Sequence, residues 1–316
     1  MRTPVKILIS VLLTIILVYF LLQQISFASV ISTLKEFPLP TLAFGFLLYV
    51  LSYLVRTLRF SILIMKKIRL AELFFIVCVH NMMTSLLPMR AGELSYVYLT
   101  GERGERKTRS LAAVLLVRLF DMSAIALIFI AAMTLTGLAD TRFITLGAFA
   151  FAAVSAFFFV LFISYKNIAW LSKLQLMRTK PAQYILTRAE ETLTYCVKED
   201  KKKLFQLFLL SLLLWSISFS MSYFLVLPLG IDLGFGKTIA AFCFTALISA
   251  IPIQGVLGFG TVEAGWTIIF MYYGVEKGLA IPSGFSFHIL NILFFLVLGI
   301  VGLFGLRAMR SKHKEI

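Results

Sequence analysis

The chain has 316 residues, of which 60% are hydrophobic and 14% charged, with 31 Phe and a formal net charge of +15; ordinary soluble domains carry about a quarter charged residues. No soluble core needs that much apolar surface. The positive charge lies in short clusters between apolar stretches, where membrane topology and anionic headgroups explain it, so nucleic-acid binding is excluded.

A bilayer-spanning helix needs about 20 apolar residues. The first such segment, 5–26, follows Arg2 and Lys6, and its apolar run from Ile7 to Leu22 is too long for a signal peptide's core, so an uncleaved span is expected. The second, 40–65, carries Arg56 and Arg59 and ends at Lys66, Lys67 and Arg69. Region 70–100 is broken by LLPMRAGE (Leu86 to Glu93) and has basic residues at both ends, with Arg103, Arg106, Lys107 and Arg109 following it. It is expected to be a hairpin entered from the cytoplasm. Spans at 111–137, carrying Arg118 and Asp121, and at 143–165 come next.

The basic connector 166–203 places Ile185, Ala189, Leu193 and Cys196 at helical spacing, which predicts an amphipathic helix on the inner membrane surface. After a span at 204–227, region 237–273 is broken by IPIQGVLGFGTVE (Ile251 to Glu263). Its flanks hold only Asp232, Lys237, Glu276 and Lys277, so it reads as a hairpin entered from outside. The last span, 284–306, precedes Arg307, Arg310, Lys312 and Lys314.

The order of these segments predicts an all-α polytopic membrane protein. Six full spans and two re-entrant broken-helix hairpins form an inverted-topology repeat, a plan that recurs among secondary transporters. Residues 1–316 are then one membrane domain, with 1–137 the first repeat and 138–316 the second. The expected location is the cell membrane, multi-pass, with both termini cytoplasmic.

Ionisable groups inside apolar segments cost about 2.5–3.5 kcal/mol each at a helix centre and should face protein or water. Arg118 and Asp121 stand at i and i+3 and are expected to pair with each other, in a structural or a functional role. Arg59, near the cytoplasmic end of its span, is expected to snorkel. Arg90 and Glu93 occupy the first break, where backbone groups are released from helical bonding, and mark a transport path.

Gly92, Gly255, Gly258 and Gly260 permit tight turns or close approach to a ligand, and helix N-termini after the breaks favour an anion. Arginine grips phosphate through paired donors. The hairpin tips, Met89 and Gln254, are expected to face each other across a midplane cavity. His80 with Asn81 and His288 with Asn291 are polar sites on apolar helices, suited to interhelical hydrogen bonds; Asn81, close to Pro88, is the better site residue. Cys78, Cys196 and Cys243 show no CxxC or His/Cys pattern, so neither a disulfide framework nor a metal site is indicated, and no motif calls for a cofactor.

Asn81, then LLPMRAGELS (Leu86 to Ser95), then PIQGVLGFGTVEAGW (Pro252 to Trp266) resemble the flippase-like transmembrane domain of the lysylphosphatidylglycerol synthase family, over essentially the whole chain. The second motif has extra residues between Pro252 and Glu263 relative to the family's shorter form. The resemblance implies lipid translocation, with Asn81, Pro88, Arg90, Gly92 and Glu93 carried over from the first motif and Pro252, Gly258 and Glu263 from the second. It also implies relatives with a soluble aminoacyltransferase domain. This chain ends ten residues after its last span, at Ile316, so it is expected to be a stand-alone member that does not itself make aminoacylated lipid.

The leading expectation is therefore a non-enzymatic transporter moving an anionic or phosphate-bearing lipid, a phospholipid or a polyprenyl-phosphate-linked sugar, between leaflets. Its partners would be membrane lipids with an anionic headgroup. The alternatives are a small-solute or ion secondary transporter, and a membrane scaffold for an envelope glycosyltransferase.

Overall fold

The computed structural model describes residues 19, 27–65, 68–136, 187–188, 190–192, 194–196, 200–250 and 256–314, with backbone alone at 27, 88–90, 250, 256 and 311–314. The expected spans at 5–26 and 143–165, and most of the 166–203 connector, lie outside the described residues. What is described is helical: α1 (Phe27–Lys35), α2 (Leu39–Leu63), α3 (Leu70–Leu86), α4 (Leu94–Gly101), α5 (Lys107–Leu135), α6 (Lys201–Val226), α7 (Phe235–Ala250), α8 (Thr261–Tyr272) and α9 (Lys277–Lys314).

Leu39–Leu63, Lys107–Leu135, Lys201–Leu229 and Lys277–Arg310 are long and apolar enough to cross a bilayer. They correspond to the expected spans at 40–65, 111–137, 204–227 and 284–306. Their outer faces carry apolar stripes at helical spacing: Leu47, Leu51, Leu54 and Leu58 on α2, and Leu293, Val297, Ile300 and Phe304 on α9, all more than a third exposed. The inward face of α2 instead buries Ser52, Thr57 and Arg59. A soluble helix would reverse this arrangement; hydrocarbon as the solvent favours it.

Local chemistry sets the ends. Pro40 stands in the first turn of α2, where its missing N–H costs nothing. The Asp200 side chain accepts from the Lys202 N–H at 3.1 Å and caps α6. Region 70–100 breaks where Pro88 forces the residue before it out of the helical region: Leu87 is extended at φ −87°, ψ 133°. A 3-10 turn, Pro88–Glu93, then leads into α4. At 1.5 Å per residue, α4 is roughly 12 Å long and α8 roughly 18 Å, well short of a hydrocarbon core of about 30 Å.

Small residues set the closest helix approach. On α9, Gly299, Gly302 and Gly305 face α3, and a Cβ built on them would lie 2.2 Å from the Met82 sulfur, 2.8 Å from Cys78 Cβ and 2.5 Å from the Phe75 ring. Without hydrophobic driving force between membrane helices, such close packing supplies the dispersion energy of association. The pairing also follows a pattern between halves: α3 packs on α9 as α7 packs on α5, and α4 packs on α5 as α8 packs on α9. The 3-10 turn at Pro88–Glu93 touches a second one, Val256–Gly258, so the two breaks meet.

Candidate functional site

Beside the second break lies a cavity of about 350 Å3, walled by α2, α3, α5, α6, α7, α8, α9 and that break. Asn81, Arg56, Arg118 and Gly258, all singled out from the sequence, line it. Polar stripes turn inward here, with Ser218 and Ser222 on α6, Thr245 and Ser249 on α7, and His288 and Asn291 on α9.

The charges are arranged in layers. Arg118 lines the cavity, and its Nε donates to Glu93 Oε1 at 2.9 Å, tying α5 to the first break. Behind that wall, Arg59 Nη1 donates to Asp121 Oδ1 at 2.7 Å, Arg59 Nη2 donates to the Val117 carbonyl at 3.1 Å, and Trp215 Nε1 donates to the same Asp121 oxygen at 2.9 Å. Both expectations about these residues are corrected. Arg118 and Asp121 do not pair with each other, because each reaches a partner on another element. Arg59 does not snorkel: its side chain is fully buried, since Asp121 offers a charge partner inside the bundle.

Arg56 makes no ion pair among the described residues. Its guanidinium carbon stands 5.9 Å from the Tyr53 ring centroid, and its Nε is buried without a hydrogen-bond partner. Arg59 Nε and Asp121 Oδ2 are likewise buried without partners, and Arg56, Arg59 and Asp121 share a void of about 10 Å3. Unsatisfied buried polar atoms are costly in low dielectric, so this corner holds polarity that packing alone would not select.

Gly92 is where the first break folds back on α3. A Cβ there would lie 2.0 Å from the Met83 carbonyl oxygen, so only glycine fits. At the second break, Leu257 (φ 58°), Gly258 (φ 83°) and Gly260 (φ 84°) all adopt left-handed backbone, and for leucine that conformation is strained. Glu263, fully buried, holds the turn: its Oε2 accepts from the Gly260 N–H at 2.7 Å, and Oε1 lies 2.6 Å from His288 Nδ1. The His288 ring closes on Gly258, where an added Cβ would sit 3.5 Å from Cε1.

Pro252, Gln254 and Gly255 lie outside the described residues, and for Pro88, Met89 and Arg90 only the backbone is described. Trp215, Ser52, Ser218, Ser222 and Thr245 were not among the candidate residues. For Ser218 with Ser222 and Thr245 with Ser249 the signal was hydroxyls at i and i+4 on an apolar helix, a pattern that also serves plain helix packing. The described part of the connector packs on the start of α5, where Arg106 Nη1 donates to Tyr195 Oη at 3.1 Å and Cys196 Sγ lies 3.8 Å from the Ala112 carbonyl. Among the described residues, no three His, Cys, Asp or Glu side chains converge as metal ligands would.

The family model described as the lysylphosphatidylglycerol synthase TM region matches residues 7–299. The chain belongs to the lysylphosphatidylglycerol synthase transmembrane family. No curated protein gives a significant match. Membership and the apolar helices together establish a membrane-embedded, multi-pass protein with a lipid-related function. In this member of the family, Asn81, Gly92, Glu93, Gly258 and Glu263 all stand on or directly behind the cavity wall.

Proposed function

We propose that the protein moves a phosphate-bearing lipid between membrane leaflets, with the headgroup passing through the cavity and the chains remaining in hydrocarbon. The observation that carries this reading is the pairing of Arg56, which has no carboxylate partner among the described residues, with Arg118 on the wall of a polar cavity inside a membrane bundle. Arginines so placed are expensive to retain and suited to phosphate. A volume of about 350 Å3 falls at the lower end of small-molecule sites, which run from about 300 to 1,000 Å3; it suits a headgroup and is too small for acyl chains.

An inverted repeat with two re-entrant hairpins fits the contacts. The pairs α3 with α9 and α7 with α5 exchange under such a repeat, as do α4 with α5 and α8 with α9, and the short helices α4 and α8 suit hairpin arms. In this reading the termini are cytoplasmic, the host is the cell membrane, and the protein carries out no covalent chemistry.

The test is reconstitution of the purified full chain into vesicles containing acyl-labelled fluorescent phosphatidylglycerol, followed by chemical quenching of the outer leaflet. Quenching should proceed past the outer-leaflet half in protein-containing vesicles and stop there in protein-free ones. Identical traces would reject lipid transport and leave the small-solute transporter and scaffold readings.

A further inference from the structure

The polar side chains of the cavity wall are oriented in one sense. Among those that direct protons at their own helix, Ser52 Oγ donates to the Tyr49 carbonyl at 2.7 Å, Asn81 Nδ2 to Val77 at 2.8 Å, Ser218 to Leu214 at 2.9 Å, Ser222 to Ser218 at 2.9 Å, Thr245 to Ala241 at 3.0 Å and Asn291 Nδ2 to Phe287 at 2.9 Å. A hydroxyl has one proton, and an amide bonded this way keeps its carbonyl oxygen beside one remaining N–H. The wall therefore offers these groups to a ligand chiefly as lone-pair acceptors. Strong donors come from the two arginines: Arg56, and the terminal nitrogens of Arg118, whose Nε alone is held by Glu93.

The charge arrangement narrows the ligand further. No carboxylate lines the cavity among the described residues. The three nearest are held by Arg118, Arg59 and His288. A ligand's ammonium group would meet two guanidiniums and no open counter-charge, and like charges in low dielectric repel strongly. Neutral hydroxyl donors meet the oxygens of Ser52, Ser218, Ser222 and Thr245.

From this we infer that the transported headgroup is a polyhydroxylated phosphate, a glycerol or sugar phosphate, and that aminoacylated headgroups are disfavoured. This rests on the proposed lipid transport and specifies its substrate. The phosphate lies against Arg56 and Arg118, and the hydroxyl groups donate to the serine, threonine and asparagine oxygens.

The test compares acyl-labelled lipids in vesicles containing the full chain: phosphatidylglycerol and phosphatidylinositol, which have a phosphate and hydroxyl donors; phosphatidylmethanol, which has a phosphate alone; and lysylphosphatidylglycerol, which adds ammonium groups. The first two should exchange about tenfold faster than the others, the effect of one or two net hydrogen bonds. Equal rates for phosphatidylglycerol and phosphatidylmethanol overturn the acceptor wall, and lysylphosphatidylglycerol exchanging as fast as phosphatidylglycerol overturns the exclusion of ammonium. In a Ser222→Ala, Thr245→Val double variant whose melting is wild-type, the preference for phosphatidylinositol over phosphatidylmethanol should shrink severalfold; an unchanged ratio counts against the inference.

Inhibition by added polyprenyl hexosyl phosphate exceeding that by unlabelled phosphatidylglycerol assigns the hydroxyls to a sugar, and the reverse order assigns them to glycerol. Inhibition by neither overturns the inference. Protection of the detergent-solubilised protein from thermal unfolding by glycerol 3-phosphate, against methyl phosphate, separates the two proposals. Protection in that order without lipid exchange rejects transport and keeps the headgroup assignment, and equal protection without exchange rejects both.

Discussion

Arg59 of α2 and Asp121 of α5 meet at 2.7 Å with both side chains at 1% exposure or less, while one oxygen of the carboxylate and the Nε of the guanidinium have no hydrogen-bond partner. The pair therefore holds two helices together at a large desolvation cost, and the consequence of removing one member differs from that of removing both. Asp121→Leu should destabilise the protein by about 3–5 kcal/mol, because it strands a buried guanidinium and frees Trp215 Nε1 as well. Arg59→Met combined with Asp121→Leu should recover most of that loss. Thermal melts in detergent check both; a double variant as unstable as the single one would show that the pair contributes more than mutual neutralisation.

The Arg118–Glu93 pair differs in being about a quarter exposed at both side chains. Glutamine keeps the shape and a side-chain acceptor for Arg118 Nε, so Glu93→Gln should melt close to wild type. It should nonetheless alter lipid exchange, since it removes the counter-charge of a cavity arginine. Wild-type exchange across pH 5 to 8 would make the pair purely structural.

The glycine stripe on α9 predicts a graded response. Gly302→Ala places a methyl 2.8 Å from Cys78 Cβ and from the Phe75 carbonyl, and overpacking of that kind costs about 1–3 kcal/mol. Gly278→Ala, at a position with nothing within 4 Å, should be neutral or slightly stabilising. Comparable melting of the two variants would remove the stripe as the determinant of α3–α9 packing.

Outside the membrane segments, Glu102 receives hydrogen bonds from Arg103 and Arg310. Partial burial pushes its carboxyl up, but the Tyr98 hydroxyl and the Arg310 and Arg103 guanidiniums outweigh it and hold it below the usual range. A depressed carboxylate stabilises the fold above its unfolded value and loses that contribution as pH falls through its folded value. Wild type should therefore lose its melting advantage over Glu102→Gln as pH drops below about 4.5, the ordinary value for a glutamate carboxyl. High salt should shrink the advantage at neutral pH. An advantage that persists at pH 3 would contradict the ion pair.

The spans at 40–65, 111–137, 204–227 and 284–306 were legible because hydrocarbon imposes length and apolarity on a helix that crosses it, and the first break was legible because Pro88 and Gly92 are local signals. The partners of the charges were not. Spacing on one helix suggested Arg118 with Asp121, whereas the choice was made by α2 bringing Arg59 and by the first break bringing Glu93, contacts of high sequence separation that periodicity does not encode. The wall hydroxyls escaped notice for a related reason: Ser218 and Ser222 look like packing residues until the helices opposite them are in place. Gly299, Gly302 and Gly305 were not singled out, because only the structure shows α3 packed against them.

The central claim is that a cavity arginine without a carboxylate partner grips a lipid phosphate. The most direct measurement is the leaflet-exchange rate of fluorescent phosphatidylglycerol in vesicles containing Arg56→Gln, relative to wild type at equal protein content and equal melting temperature. Loss of a charge-assisted hydrogen bond, worth about 1.5–3 kcal/mol, predicts a rate about ten- to a hundredfold lower. An unchanged rate would contradict the account.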